Sequence, residues 1–334
     1  MLRVDELSVA FRTPEGFARA VDGLSFDVAQ GEALGIVGES GSGKTATAMA
    51  ILGLLDGVSV TGSASLGGRE LIGARERVLE DVRGREIAMV FQDPMTSLNP
   101  TMRIGRQVAE PLVRHRGLDD VAARRRVAEL LDEVRIPRVE QVMRAYPHEL
   151  SGGMRQRAAI AMALAGEPRV LLADEPTTAL DVTVQADVLD LIKAMQESHG
   201  MAVVLITHDM GVVAHVADEV LVMYAGQCVE RAPVGQLLAR PEHPYTEALL
   251  GAMPRMDADD PREERLLAIP GSPPSLVDPP AGCRFAARCP FATDGDPCSG
   301  TDVPPALTEL RPGHLVRSAH PASARASRAA SGDG

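Results

Sequence analysis

The chain has no tryptophan, and aromatic residues make up only 3% of its 334 positions, so any aromatic beside a planar ligand carries weight. Positive charge is also short. Lysine and arginine number 34 against 46 aspartates and glutamates, a formal net charge of −12 with a pI of about 5.2. Such a balance disfavours a nonspecific grip on a phosphate backbone, and no nucleic-acid partner is expected. Long apolar runs are missing too. The best stretches are as short as Met201-Ala-Val-Val-Leu-Ile206, so nothing in the sequence is long enough to span a bilayer. The opening Met1-Leu-Arg-Val-Asp-Glu6 has charges where a signal peptide has an apolar core, which predicts a cytoplasmic chain. Cysteine is scarce, four in all, yet three fall between 283 and 298. In a reducing compartment that clustering is more often metal binding than a disulfide framework.

What is present has an α/β texture, with length for one large domain plus an appendage. Leu7-Ser-Val-Ala-Phe11 and Leu24-Ser-Phe-Asp-Val28 alternate apolar and polar residues around a turn-rich Thr13-Pro-Glu-Gly16, which predicts an antiparallel layer. Ala33–Val37, Val170–Ala173 and Ala202–Ile206 are continuous apolar runs of strand length. Helical spacing over Lys44–Leu55 and Val184–Glu197 completes the pattern of a parallel sheet. Between about 93 and 149 the texture is polar and helical, clearest over Val121–Val134. Past about Pro254 the prolines at 270, 273, 274, 279, 280, 304 and 305 break any long element. A small appended module is expected there, and residues 321–334 read as a disordered tail.

The strand Ala33–Val37 feeds the loop Gly38-Glu39-Ser40-Gly41-Ser42-Gly43-Lys44-Thr45. A phosphate chain needs many donors close together and no side chains in the way, which the three glycines provide by letting backbone N–H groups turn inward. A helix starting near Lys44 adds its positive dipole end. Lys44 would reach the β- and γ-phosphates, and the Thr45 hydroxyl would ligate Mg²⁺. Asp174 ends a buried strand and Glu175 follows it, so both carboxylates emerge at the C-terminal edge of the sheet, where α/β folds bind ligands. Ser151 can cap a helix running to about Ala165 and leave its N–H groups exposed.

Six motifs therefore stand in one order: the loop 38–45, Gln92, Leu150-Ser151-Gly152-Gly153, Leu171–Glu175, Asp181 and His208. Together they resemble the nucleotide-binding subunit of an ATP-binding-cassette (ABC) transporter. The resemblance implies a P-loop ABC cassette over residues 1–254, with a RecA-like parallel sheet core, an antiparallel β layer and a helical subdomain at about 93–165. It implies ATP and Mg²⁺ as ligands, with Gly38, Glu39, Ser40, Gly41, Ser42, Gly43, Lys44 and Thr45 around the phosphates and Phe11 stacking on adenine; Phe17 is the second candidate. Thr45, Gln92 and Asp174 would serve Mg²⁺. Glu175 would polarise the attacking water, and His208 would touch the γ-phosphate and hold Glu175. Ser151, Gly152, Gly153 and Asp181 would act on the ATP of an opposite subunit, so that one chain cannot complete a site.

Further segments narrow the resemblance: Phe91-Gln-Asp-Pro-Met-Thr-Ser-Leu-Asn-Pro100, His243-Pro-Tyr-Thr246, Gly271-Ser-Pro-Pro274 and Gly282-Cys-Arg-Phe-Ala-Ala-Arg-Cys-Pro290. They look like the ATPase subunits of oligopeptide, dipeptide and nickel permeases. That family implies peptide import, with nickel or another solute as the alternative and a soluble DNA-repair or translation ATPase as a different class. The implied partners are a homologous second ATPase subunit, two membrane permeases and, indirectly, an extracellular solute-binding protein. The chain would sit peripherally on the cytoplasmic face, docking around the Gln92 loop through Met95, Leu98 and Pro100. In several members four cysteines of the C-terminal module, here 255–320, bind a [4Fe-4S] cluster. Cys283, Cys289 and Cys298 match, while the fourth position is Ser318. Ser318, His320 or a water could complete the shell, or the thiols could be merely reduced and buried.

Overall fold

The computed structural model describes residues 1–93, 97–178, 180–253, 269–293, 298 and 303–325. Two sheets organise it. Strands β1 (Leu2–Thr13), β2 (Gly16–Val28), β4 (Val58–Leu66) and β5 (Arg69–Glu70) form an antiparallel layer in the order β2-β1-β4-β5. Both β1 and β2 outrun the alternating segments that announced them, because each continues along its neighbour past a register shift.

The main sheet contains β3 (Ala33–Val37), β6 (Ile87–Val90), β7 (Val170–Asp174), β8 (Ala202–Thr207) and β9 (Glu219–Tyr224), all parallel in the order β9-β3-β8-β7-β6. Its strands read as unbroken apolar runs because both faces are covered. On β7, Leu171 and Ala173 join a core with the helices, while Val170 and Leu172 face the antiparallel layer. The same alternation places Val203 and Leu205 of β8 on one side and Ala202, Val204 and Ile206 on the other.

Helix α1 (Lys44–Ile51) follows β3 and ends four residues before the sequence pattern suggested. Gly53 takes a left-handed φ of 60° there, and the Leu54 N–H bonds back to the Met49 carbonyl. After α2 (Glu76–Val82) and β6 comes a helical unit of α3 (Ile104–Arg116), α4 (Asp120–Glu133), α5 (Val139–Arg144) and α6 (Gly152–Leu164). Ile104, Val108 and Leu112 on α3 and Val127, Leu130 and Leu131 on α4 form its apolar seam at helical spacing. Leu98, expected on a docking surface, lies in this core at 2% exposure, whereas Pro100 is exposed and Met95 falls outside the described residues. An apolar side chain beside such a seam gains more by burial than by waiting for a partner.

Helices α7 (Val182–His199) and α8 (Met210–Val216) connect the later strands, and β10 (Gln227–Pro233) pairs antiparallel with β9. Helices α9 (Val234–Ala239) and α10 (Pro244–Gly251) follow. The sequence led us to expect the C-terminal module as a separate fold beside the cassette. Instead its hairpin, β11 (Thr308–Arg311) and β12 (His314–Val316), extends the main sheet by pairing with β10. The open edge of β10 offers unpaired backbone groups, and the hairpin satisfies them. His314 is wholly buried, and its Nε2 meets Glu230 Oε1 at 2.7 Å beneath this junction. The tail expected to be disordered from 321 is docked as far as Arg325. Ala322 and Ser323 donate to the backbone and side chain of Glu242, and the Arg325 guanidinium pairs with Glu247 while lying 3.8 Å from the Phe291 ring centre. Residues 326–334 lie outside the described residues.

Candidate functional site

The loop 38–45 joins β3 to α1, so the end of a buried strand and the start of a helix meet at one point. Gly38 passes against β9: a Cβ there would stand 2.2 Å from the Met223 carbonyl oxygen. Gly43 has φ of 105°, and a Cβ would stand 2.1 Å from the Ala20 carbonyl oxygen. Neither neighbour is a side chain that can swing away, so both positions require glycine. No side chain caps α1, and its dipole end faces the loop.

Lys44 is 5% exposed and donates to the carbonyls of Gly38 at 2.7 Å and Glu39 at 2.9 Å. Burial lowers its pKa, opposed by the charges of Glu175, Asp174 and Glu39. Asp174 closes β7 at 2% exposure. Burial raises its pKa, with the Glu175 charge adding, while a hydrogen bond with Thr45 and the Lys44 charge oppose. Among the described residues, Asp174 Oδ1 and Ser42 Oγ are buried without hydrogen-bond partners. Buried polar atoms are normally satisfied, so these two orphans beside Lys44 and Thr45 mark a place prepared for a polar ligand.

Glu175 has a left-handed φ of 45°, a conformation costing roughly 1 kcal/mol or more in a non-glycine residue. Its N–H donates to the Ile206 carbonyl at 2.8 Å, which holds that turn at the strand ends. The side chain then gathers residues from three segments. Gln92 Nε2 donates to its Oε2 at 3.1 Å, the Thr178 hydroxyl donates to the same oxygen at 2.8 Å, and His208 Nδ1 lies 3.3 Å from Oε1. Gln92, Glu175 and His208, which are 83 and 33 residues apart along the chain, thus stand together.

Ser151 to Gly153 and Asp181 form a second cluster. Ser151 caps α6 by accepting from the Met154 N–H at 3.3 Å, and Asp181 caps α7 by accepting from the Val184 N–H at 3.0 Å. A Cβ on Gly153 would come 2.7 Å from Val184 Cγ1, so the two helix starts are packed side by side. Among the described residues, no hydrogen bond or ion pair joins Ser151, Gly152 or Gly153 to the loop 38–45. Phe11 is partly buried against the core under the antiparallel layer, and Phe17, on the paired strand, is 57% exposed.

Comparison with known proteins agrees with this arrangement. Residues 21–178 match the family model described as ABC transporter, and residues 229–298 match the oligopeptide/dipeptide transporter C-terminal region. The oligopeptide transport ATP-binding protein OppD of Bacillus subtilis is 47% identical over 95% of this chain and 88% of its own. A putative peptide import ATP-binding protein of Brucella melitensis is 51% identical over 87% of this chain and 88% of its own. The chain belongs to the ATP-binding subunits of ABC peptide transporters. Among solved structures, a dimeric post-hydrolysis state of the cassette MJ0796 bound to ADP and Pi aligns with a TM-score of 0.64 and 28% identity, over 70% of this chain and 99% of that one. The chain is accordingly an ABC-type ATPase built on a P-loop cassette.

Sequence reading missed two participants in this ABC site. Thr178 holds Glu175, and the Tyr245 hydroxyl accepts the Glu39 N–H at 2.9 Å. Thr178 lies between Glu175 and Asp181, two positions marked in the sequence, so its place was a usable signal; Tyr245 comes 206 residues after Glu39, and only folding brings it there. In the C-terminal region, Cys283 and Cys298 are buried and Cys289 is partly so. Burial raises the Cys283 pKa, with the Cys289 charge adding and a hydrogen bond with Cys298 opposing, so the three thiols are neighbours. Ser318 Oγ instead accepts the His320 N–H at 3.0 Å. Among the described residues, no group of three or more histidine, cysteine or acidic side chains is arranged to hold a metal ion. No described helix is long and apolar enough to cross a membrane.

Proposed function

We propose that this subunit binds Mg·ATP on its 38–45 loop, hydrolyses it with Glu175 as general base, and so drives the import of peptides. The observation that carries the reading is the convergence of Gln92, Thr178 and His208 on Glu175, next to a loop whose buried Asp174 and Ser42 atoms lack partners. A carboxylate fixed by three groups can take a proton from water at one defined position, while His208 and Gln92 keep it aimed at the γ-phosphate. Lys44 leaves the Gly38 and Glu39 carbonyls to meet phosphate oxygens. Thr45, Asp174 and Gln92 would hold Mg²⁺, which neutralises phosphate charge; the orphaned Asp174 oxygen beside the Thr45 hydroxyl fits that role. Phe11 or Phe17 would stack on adenine.

That no hydrogen bond or ion pair among the described residues joins Ser151–Gly153 to the loop supports a head-to-tail pair, each subunit presenting the α6 N-terminus to the other's γ-phosphate. A homologous second ATPase subunit, two membrane permeases and an extracellular solute-binding protein complete the assembly, with this chain peripheral on the cytoplasmic face. The names of the relatives favour peptide over nickel. The C-terminal thiols do not fit a [4Fe-4S] cluster among the described residues: three cysteines are present where four thiolates are wanted, and the fourth position is Ser318, whose Oγ accepts the His320 N–H. Glu175→Gln is the test, because it keeps the shape of the side chain. In the assembled transporter it should retain ATP binding and cut turnover about a hundredfold or more, while Lys44→Ala should lose binding itself. Hydrolysis near the wild-type rate by Glu175→Gln would show that another group is the base.

A further inference from the structure

Glu39 of the phosphate loop is gripped at both ends by residues more than 200 positions away. Its N–H donates to the Tyr245 hydroxyl, and its carboxylate receives Arg288 Nη1 on Oε2 at 2.9 Å and Nη2 on Oε1 at 3.0 Å. This bidentate pair is the strong, directional form of an arginine–carboxylate contact. Arg288 is itself locked. It is 8% exposed, its Nε donates to the Pro270 carbonyl at 2.8 Å, and its remaining N–H groups reach the Ile269 carbonyl and the Tyr224 hydroxyl. The guanidinium lies 5.7 Å from the Tyr224 ring centre and 5.9 Å from that of Phe285. Tyr224, Tyr245 and Phe285 pack on one another, with ring centres 4.6 to 5.4 Å apart. On its inner side, the Glu39 carbonyl accepts from Lys44 Nζ and from the Ser42 N–H.

A continuous link therefore runs from the C-terminal module through Arg288 and Glu39 to Lys44. We propose that Arg288 is a positioning residue for ATP, neutralising Glu39 and clamping the loop in its phosphate-receiving shape, so that this one contact of the C-terminal module sets nucleotide affinity. Glu39 interacts electrostatically with Lys44, so without Arg288 a bare carboxylate would stand beside the place where the triphosphate's negative charge must enter. Coupling of this kind is reciprocal, and bound ATP must in turn strengthen the Arg288–Glu39 contact.

The test is the dissociation constant for Mg·ATP of the full-length chain, measured by calorimetry beside the melting temperature. Arg288→Gln should weaken binding about tenfold, the scale of a lost charge-assisted bidentate contact. Adding Glu39→Gln to that variant should restore most of the affinity, because the uncompensated charge is gone; a purely structural role would give no such rescue. Arg288→Lys, which keeps charge but loses the fork, should fall between. It also serves if Arg288→Gln does not fold. Arg311→Gln breaks the Arg311–Glu242 pair of the docked hairpin away from the loop, and should lower the melting temperature without changing affinity. Binding within twofold of wild type in the Arg288 variants, or an equal loss in Arg311→Gln, would overturn the proposal. The assignment of ATP to the 38–45 loop fails separately, if Lys44→Ala binds Mg·ATP as wild type does.

Discussion

His243 is a buried histidine that costs the fold stability under acid. It is 1% exposed at the start of α10, where Nδ1 accepts the Tyr245 N–H at 3.0 Å and the ring also hydrogen-bonds the Arg317 backbone. Both ring nitrogens are therefore used by the neutral form. Burial lowers its pKa from 6.5 to about 3. Between those values the unfolded chain binds a proton that the folded chain does not, so stability rises with pH and is lost as pH falls below 6.5. The loss from this one group is about 2 kcal/mol at pH 5 and grows by about 1.4 kcal/mol for each further unit, until pH nears 3. His243→Asn should keep an oxygen for the Tyr245 N–H yet lose the contact with Arg317, lowering stability near pH 7 by roughly 1 to 3 kcal/mol. Urea unfolding of the two proteins between pH 7.5 and 5 gives the comparison, with the gap narrowing as pH falls. A variant that loses stability on acidification as steeply as wild type would refute the reasoning.

Other outcomes follow from the ATP site and its surroundings. Ser151→Arg should depress hydrolysis by about a hundredfold at the site whose loop belongs to the other subunit, measured in assemblies carrying the variant in one subunit only; full-rate hydrolysis by a purified monomer, independent of concentration, would sink the trans arrangement. Leu98→Ala should lower unfolding stability by about 2 to 5 kcal/mol because Leu98 is core, while exposed Pro100→Asp should release the chain from permease-containing membranes with its melting temperature unchanged. Membrane retention of Pro100→Asp would move the docking surface elsewhere.

Much of this molecule is legible in one dimension because its determinants are local. The loop 38–45 announces itself through glycines at fixed spacing between an apolar run and a helix, and β7 and β8 through unbroken apolar stretches that a doubly covered sheet demands. Asp174 and Glu175 could be placed at a strand end without coordinates for the same reason. Other features depend on long-range closure. The left-handed turn at Glu175 is held by Ile206, the burial of Leu98 by the α3 and α4 seam, and the capture of β11 and β12 by an open edge on β10. None leaves a periodic trace, since a four-residue strand or a lone leucine is compatible with many environments. Tyr245 and Arg288 carry the same lesson for the site. Their motifs could be read as family markers, but only the folded chain brings both to Glu39, because a hydroxyl and a guanidinium have no preferred partner until packing excludes the alternatives.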